Sequence, residues 1–77
     1  MRNSLWEKKR RNRCYSKAEV LLANNHPGER TLEYGWALEE GRKRTSAMRQ
    51  AYTQIRLRHP EEFRRLYEEA LSSREVP

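Results

Sequence analysis

Few side chains in this 77-residue chain are equipped for covalent or metal chemistry, and their spacing argues against both. Cys14 is the sole thiol, and His26 and His59 are the only imidazoles. They stand 12 and 33 residues apart, and the sequence contains no CxxC or HExxH, so the usual spacings of a zinc site are missing. A cysteine–histidine nucleophile would need Cys14 to meet one of the histidines through the fold, and no glycine-rich phosphate loop exists among three scattered glycines. The glutamates fall where helix starts and solvated faces are expected. No catalytic residue, cofactor or metal ligand is assigned from the sequence, and the chain reads as a non-enzyme.

The other chemistry on offer is anion recognition. Thirteen arginines and four lysines oppose eleven acids, for a net charge of +6. Arginine suits phosphate because its planar guanidinium makes two parallel hydrogen bonds, although a GC-rich genome also encodes much arginine. The charge is segregated. Residues 1–17 set seven basic residues against Glu7, and residues 42–59 hold six with no acid at all. Residues 18–41 and 60–77 are net acidic. Either the acidic blocks neutralise the basic ones inside the fold, or the basic blocks converge and attract a polyanion.

Two groups carry that second reading. Lys8, Lys9, Arg10, Arg11 and Arg13 form a run that neutralises phosphate by counterion release, and Arg42, Lys43, Arg44 and Arg49 open a later helix. The expected partner is nucleic acid, DNA before RNA. The competing partner is an acidic host protein, anchored through Trp6, which stands beside the basic run. Tyr15 next to the run has the chemistry to stack on a base. His26 and His59 each precede proline; as a pair they would respond to pH, and singly they are pre-proline turn residues.

Helices must position these groups. Ser16 and Glu19 have capping-box spacing, which starts a short helix over about 17–24 with Ala18, Leu21 and Leu22 on one face. His26-Pro27-Gly28-Glu29 is a turn, and a second helix runs from Pro27 or Glu29 to about Glu40, with Leu32 and Trp36 in its core stripe. Gly41 stops it, and Thr45 or Ser46 caps a third helix to Arg58, in which Met48, Ala51, Tyr52 and Ile55 share a face. Pro60 opens a fourth, with Phe63, Leu66, Tyr67, Ala70 and Leu71 inward. Val20 and Leu38 complete the expected core. His26-Pro27, Glu29, Tyr34 and Ala37-Leu38 recur 33 residues later as His59-Pro60, Glu62, Tyr67 and Ala70-Leu71, an echo that convergence on one turn chemistry explains.

The segment 57–70, Leu-Arg-His-Pro-Glu-Glu-Phe-Arg-Arg-Leu-Tyr-Glu-Glu-Ala, resembles segments of small proteins of actinobacteria and their bacteriophages, some of them regulators. The resemblance implies an origin in a GC-rich phage or its host, and an action on DNA or on a host protein. It brings no site residues with it.

The expectation is therefore an all-α protein, a small bundle of three to four short helices in two helical hairpins. Residues 1–15 form a flexible basic N-terminal arm, 16–72 the helical domain and 73–77 a tail. A thin core leaves room for a homodimer. No apolar run is long enough to span a membrane, no secretory leader is legible, and the lone cysteine fits a reducing, cytoplasmic setting.

Overall fold

The computed structural model describes residues 2–72, with side chains from Leu5 onward, and the expected tail at 73–77 lies outside it. Four helices and no strand occur among the described residues: α1 (Arg2–Asn25), α2 (Pro27–Glu39), α3 (Arg44–Arg58) and α4 (Pro60–Ser72). The all-α bundle is as expected, but its first element is not.

In place of an arm followed by a short helix, α1 is continuous from Arg2, and Ser16 lies in its interior rather than at a cap. Residues 2–25 contain no proline or glycine and are rich in Arg, Lys, Glu, Leu and Ala, so nothing interrupts propagation. The buried residues Cys14, Ala18 and Leu22, spaced by four, carry the same stripe past the proposed cap. At 1.5 Å per residue α1 is about 36 Å long, most of the molecule's 44 Å length.

Each proline ends one helix and starts the next with a single residue between. The proline ring excludes its predecessor from helical backbone, and His26 (φ −130°, ψ 61°) and His59 (φ −126°, ψ 59°) adopt nearly identical non-helical conformations. Between α2 and α3 the chain turns at Gly41, whose φ of +92° only glycine adopts freely. Gly41 N–H donates to Leu38 O (3.0 Å) and Arg42 N–H to Ala37 O (3.1 Å), the two bonds of a Schellman motif. That motif brings Lys43 to the N-cap of α3, so Thr45 and Ser46 lie inside the helix instead of capping it.

The two hairpins expected from the sequence, each a pair of helices joined by a His-Pro turn, are not the pairing found. The His-Pro junctions do not fold α1 onto α2 or α3 onto α4; α2 packs chiefly along α3, and α1 along α4 and across α3. Contacts at both ends fix the directions. Arg58 reaches Glu29 and Glu33 while Gln50 reaches Glu40, so α2 and α3 are antiparallel. Arg10 donates to the Leu71 carbonyl, so α4 returns antiparallel to α1. Both His-Pro junctions therefore meet at one end of the bundle.

There the 33-residue echo becomes a reciprocal clasp. The His26 and His59 rings stack with centroids 3.9 Å apart and planes 12° from parallel. His26 Nε2 lies 2.8 Å from Glu62 Oε1, and His59 Nε2 lies 2.8 Å from Glu29 Oε2. The residue before each histidine serves the same carboxylate: Asn25 Nδ2 donates to Glu62 (3.1 Å) and Arg58 to Glu29 (3.1 Å). The echo extends into the core, where Cys14 and Ala47, Ala18 and Ala51, Leu22 and Ile55, and Ala37 and Ala70 are buried pairs at the same spacing. Shared turn chemistry alone does not account for that correspondence.

The core is built from small residues. Leu22, Ile55 and Phe63 are buried as expected, with Tyr15, Tyr52, Leu66 and Tyr67 packed against them. The Tyr15 ring meets Phe63 edge-on at 4.9 Å, and the Arg56 guanidinium lies 5.5 Å from the Tyr15 ring centroid and 5.8 Å from that of Phe63, where a cation–ring attraction operates. Val20, Leu21, Leu32, Trp36 and Leu38, all expected inside, are exposed, Trp36 by 51%. Their faces have no third layer of structure to cover them, whereas alanines let the helix axes approach closely.

Two outcomes test this packing. Ala51→Leu, at a fully enclosed position, should destabilise the fold by about 1–3 kcal/mol through overpacking, while Trp36→Ala should cost less than about 0.5 kcal/mol; urea denaturation distinguishes this from a core in which Trp36 is the larger loss. The second concerns acid. The hydrogen bond from His59, helped by Arg58 and opposed by desolvation, holds Glu29 below the ordinary glutamate range, and the hydrogen bond from His26, helped by Asn25, does the same for Glu62. A carboxylate with a depressed folded value contributes stability that is fully present above the unfolded value of about 4.3 and is lost as pH falls through the folded one. Denaturant midpoints measured from neutral pH downward should therefore fall below about pH 4.3, and the fall should be shallower in an E29Q/E62Q double variant. An identical acid limb in that variant would contradict this account.

Candidate nucleic-acid interface

The cations singled out in the sequence separate according to what the helices do with them. On α1, Lys8, Lys9, Arg11 and Arg13 are exposed. Arg10 is not a free contact: it is half-buried and donates to the Leu71 carbonyl, where a cation satisfies the end of α4 and complements its dipole. Lys8 and Arg11 fall on the helical stripe that continues to Tyr15, Ala18 and Leu22, which faces the bundle further along. They stay exposed because α1 outruns its partners.

The second block divides as well. Arg56 lies over the aromatic rings with its Nε 3.5 Å from Glu19, and Arg58 is committed to Glu29 and Glu33. Those carboxylates, Glu33 foremost, raise the Arg58 pKa above its ordinary value and hold the guanidinium charged. Arg42 makes only a loose contact with Glu40, Nε to Oε1 3.8 Å, with both side chains mostly in solvent, where such a pair contributes little. Lys43, Arg44 and Arg49 are exposed and take part in no ion pair among the described residues. Of the acids near them, Glu33 is engaged by Arg58 and Glu40 by Gln50 and loosely by Arg42, while Glu39 is exposed and forms no ion pair with them among the described residues.

The fold brings the two groups to one end. Glu19 meets Arg56, and Ser16, Glu19, Arg49, Tyr52 and Thr53 line one recess, so α1 and α3 run parallel. Continuing α1 back from Ser16 therefore carries Lys8 to Arg13 toward the same end of the bundle as the start of α3. Arg42, Ser46, Arg49, Gln50, Thr53 and Gln54 line the adjoining recess, so Arg49 links the α1–α3 groove to the Arg42 side. The start of α3 suits an anion in a further respect. It has no side-chain cap and no acid in its first turn, so its free N–H groups and positive dipole end face solvent between Arg42, Lys43 and Arg44.

Trp6, the candidate partner anchor, is 59% exposed beside Leu5 on the overhanging part of α1. The arrangement missed by sequence spacing is the His26–His59 cluster, because residues 33 apart converge only through the pairing of α2 with α3 and α1 with α4. The echo itself was the available signal. Cys14, assigned to the arm, is instead fully buried, with its Sγ 3.5 Å from the Ala70 carbonyl, so it is shielded from reaction. Among the described residues, no helix is long and apolar enough to cross a membrane. No protein-family model matches the chain, and no curated protein or solved structure matches it.

Proposed function

We propose that the chain is a small nucleic-acid-binding accessory or regulatory protein, with duplex DNA as the preferred ligand. The observation that carries this reading is the gathering of Lys8, Lys9, Arg11, Lys43, Arg44 and Arg49 at one end of the bundle, on the N-terminal part of α1 and the open N-terminus of α3. Like charges brought together repel and cost folding energy, so their concentration at one end favours an external polyanion as the compensating partner. The helical form of residues 2–13 changes the mode of contact. Rather than the flexible arm expected from the sequence, a helical rod with cations on several sides would lie along the phosphate backbone, with α3 presenting its N-terminus to a second strand.

The roles assigned are electrostatic. Lys8, Lys9 and Arg11 grip phosphates along α1, and Arg13 is exposed on the same helix; Arg42, Lys43 and Arg44 hold an anion at the start of α3; Arg49 joins the two. Nothing in the arrangement reads base edges, so binding is expected to be largely independent of sequence. A cytoplasmic, reducing setting, as in a phage-infected or actinobacterial cell, accords with this role. The alternative is a module that binds and inhibits a host protein. It is favoured by the exposed Leu5–Trp6 pair and the exposed Leu32–Trp36 pair on α2, whose apolar surface exceeds what a phosphate-binding face needs.

Fluorescence anisotropy with a labelled duplex tests the first reading. Binding at low salt should weaken as salt rises, with a log–log slope of magnitude about 4–6 if most of these cations meet phosphates. Replacing Arg11, Arg44 and Arg49 together by glutamine should lower that magnitude by about 3 and weaken binding alike on unrelated sequences, leaving the helical circular dichroism unchanged. Absence of binding at low salt, or a triple variant that binds like the parent, would sink the DNA reading. A nuclease-resistant protein complex that is lost in Trp6→Ala would support the alternative.

A further inference from the structure

The clasp at the two His-Pro junctions gathers more carboxylate oxygens around His26 than a neutral imidazole can serve. His26 has a carboxylate oxygen beside each ring nitrogen: Glu62 Oε1 lies 2.8 Å from Nε2, and Glu29 Oε2 lies 3.2 Å from Nδ1. A neutral imidazole has one N–H. If Nε2–H donates to Glu62, the Nδ1 lone pair confronts a carboxylate lone pair unless a positive centre lies between them. The same Glu29 Oε2 is 2.8 Å from His59 Nε2. His26, Glu29 and His59 thus converge, each offering a ligand atom within 4.8 Å of the others.

We propose that this cluster binds a divalent transition-metal ion of the zinc class. His26 Nδ1, His59 Nε2 and a Glu29 carboxylate oxygen are the protein ligands, and water completes the coordination. Zinc–nitrogen and zinc–oxygen bonds of about 2.0–2.1 Å at tetrahedral angles separate neighbouring ligand atoms by roughly 3.3 Å. The present separations of 3.2 and 2.8 Å from the two histidine nitrogens to Glu29 Oε2 are near that spacing, and the rings, now stacked 3.9 Å apart with planes 12° from parallel, turn out of the stack so that both lone pairs meet one ion. Two imidazoles and one carboxylate favour zinc, cobalt or nickel over magnesium or calcium, which prefer all-oxygen shells.

The surroundings already form an outer shell. Glu62 accepts from His26 Nε2–H, which fixes the tautomer and turns Nδ1 toward the ion, and Asn25 holds the other Glu62 oxygen. Arg58 takes Glu29 Oε1, leaving Oε2 for the metal. Binding requires His59 to carry its proton on Nδ1, and His26 to release any proton held on its own Nδ1, to solvent. The charges also favour a dication. Glu29, Glu33 and Glu62 outnumber Arg58 by two, which outweighs the positive ends of α2 and α4, each worth roughly half a charge. The side chains of His26, Glu29, His59 and Glu62 are 22–31% exposed, so ion and water have access.

This site lies at the opposite end of the bundle from the basic residues, so its failure and that of the nucleic-acid reading are independent. Titration of the tag-free, full-length chain with cobalt(II) should give visible absorption bands that saturate at one equivalent and are bleached by zinc. Zinc should raise the melting temperature and shift the ring-proton resonances of both histidines, and magnesium should do neither. His26→Gln and His59→Gln should each remove the cobalt spectrum, and Glu62→Gln should weaken affinity by about 10–100-fold. Circular dichroism checks that the variants fold, and the histidine resonances of the unaltered chain give a readout that needs no variant. The proposal is overturned if the folded parent shows neither cobalt bands nor zinc-shifted histidine resonances. Unchanged affinity in a folded H26Q/H59Q variant, or an equal response to magnesium, would also overturn it.

Discussion

The constraint on which the rest of the structure depends is the exclusion of His26 and His59 from helical backbone by the prolines that follow them. Each proline converts what would be one long helix into two segments joined by a single residue, with the same local geometry in both places. A one-residue joint leaves no slack for the second segment to fold back along the first. Each segment must therefore find its partner in the other half of the chain, which is why α1 lies along α4 and α2 along α3. The crossed histidine–glutamate pairs then join the two bends to each other.

That exchange of partners explains the composition of the core. The close-packed positions Cys14, Ala18, Ala37, Ala47, Ala51 and Ala70 occupy small volumes, which lets the four helices approach one another closely. The larger apolar residues gather around Leu22, Ile55 and Phe63, where the aromatic rings of α1 and α4 meet. A core of this kind buries limited apolar area for its length, in keeping with a chain of this size. Ion pairs and hydrogen bonds from Arg56, Arg58 and Arg10 supplement it at positions that a count of net charge treats as surface.

The two ends of the bundle differ in chemistry because the helices run in alternating directions. At one end the histidines, the prolines and two helix N-termini concentrate carboxylates, which satisfy the dipoles and the imidazoles together. At the other, the overhang of α1 and the start of α3 gather cations with few acids among them. The uncapped start of α3, cationic where a helix ordinarily places acid, runs against the local rule for stability. Departures of that kind are where a binding role is most economically sought.

How much of this was legible beforehand depended on whether the controlling signal was local. Pro60, Gly41 and the Pro27 start of α2 were readable because each acts on its own backbone, and the stripe through Phe63, Leu66 and Tyr67 was readable because periodicity reports a buried face. The N-terminal helix was missed because a charged run without apolar spacing looks like an arm, although no residue in it breaks a helix. Trp36 and Leu32 were misplaced because hydrophobicity reports a preference for burial, while burial itself requires a neighbouring layer that α2 lacks on that side. By itself, then, the sequence determined the helical class, the break points, the charge blocks and the 33-residue echo, all properties of residues and their near neighbours. Only the tertiary structure decided which helices pair, which arginines are consumed by glutamates, and that two histidines 33 positions apart stack over shared carboxylates, because these depend on contacts between segments whose spacing along the chain does not specify their spacing in the fold.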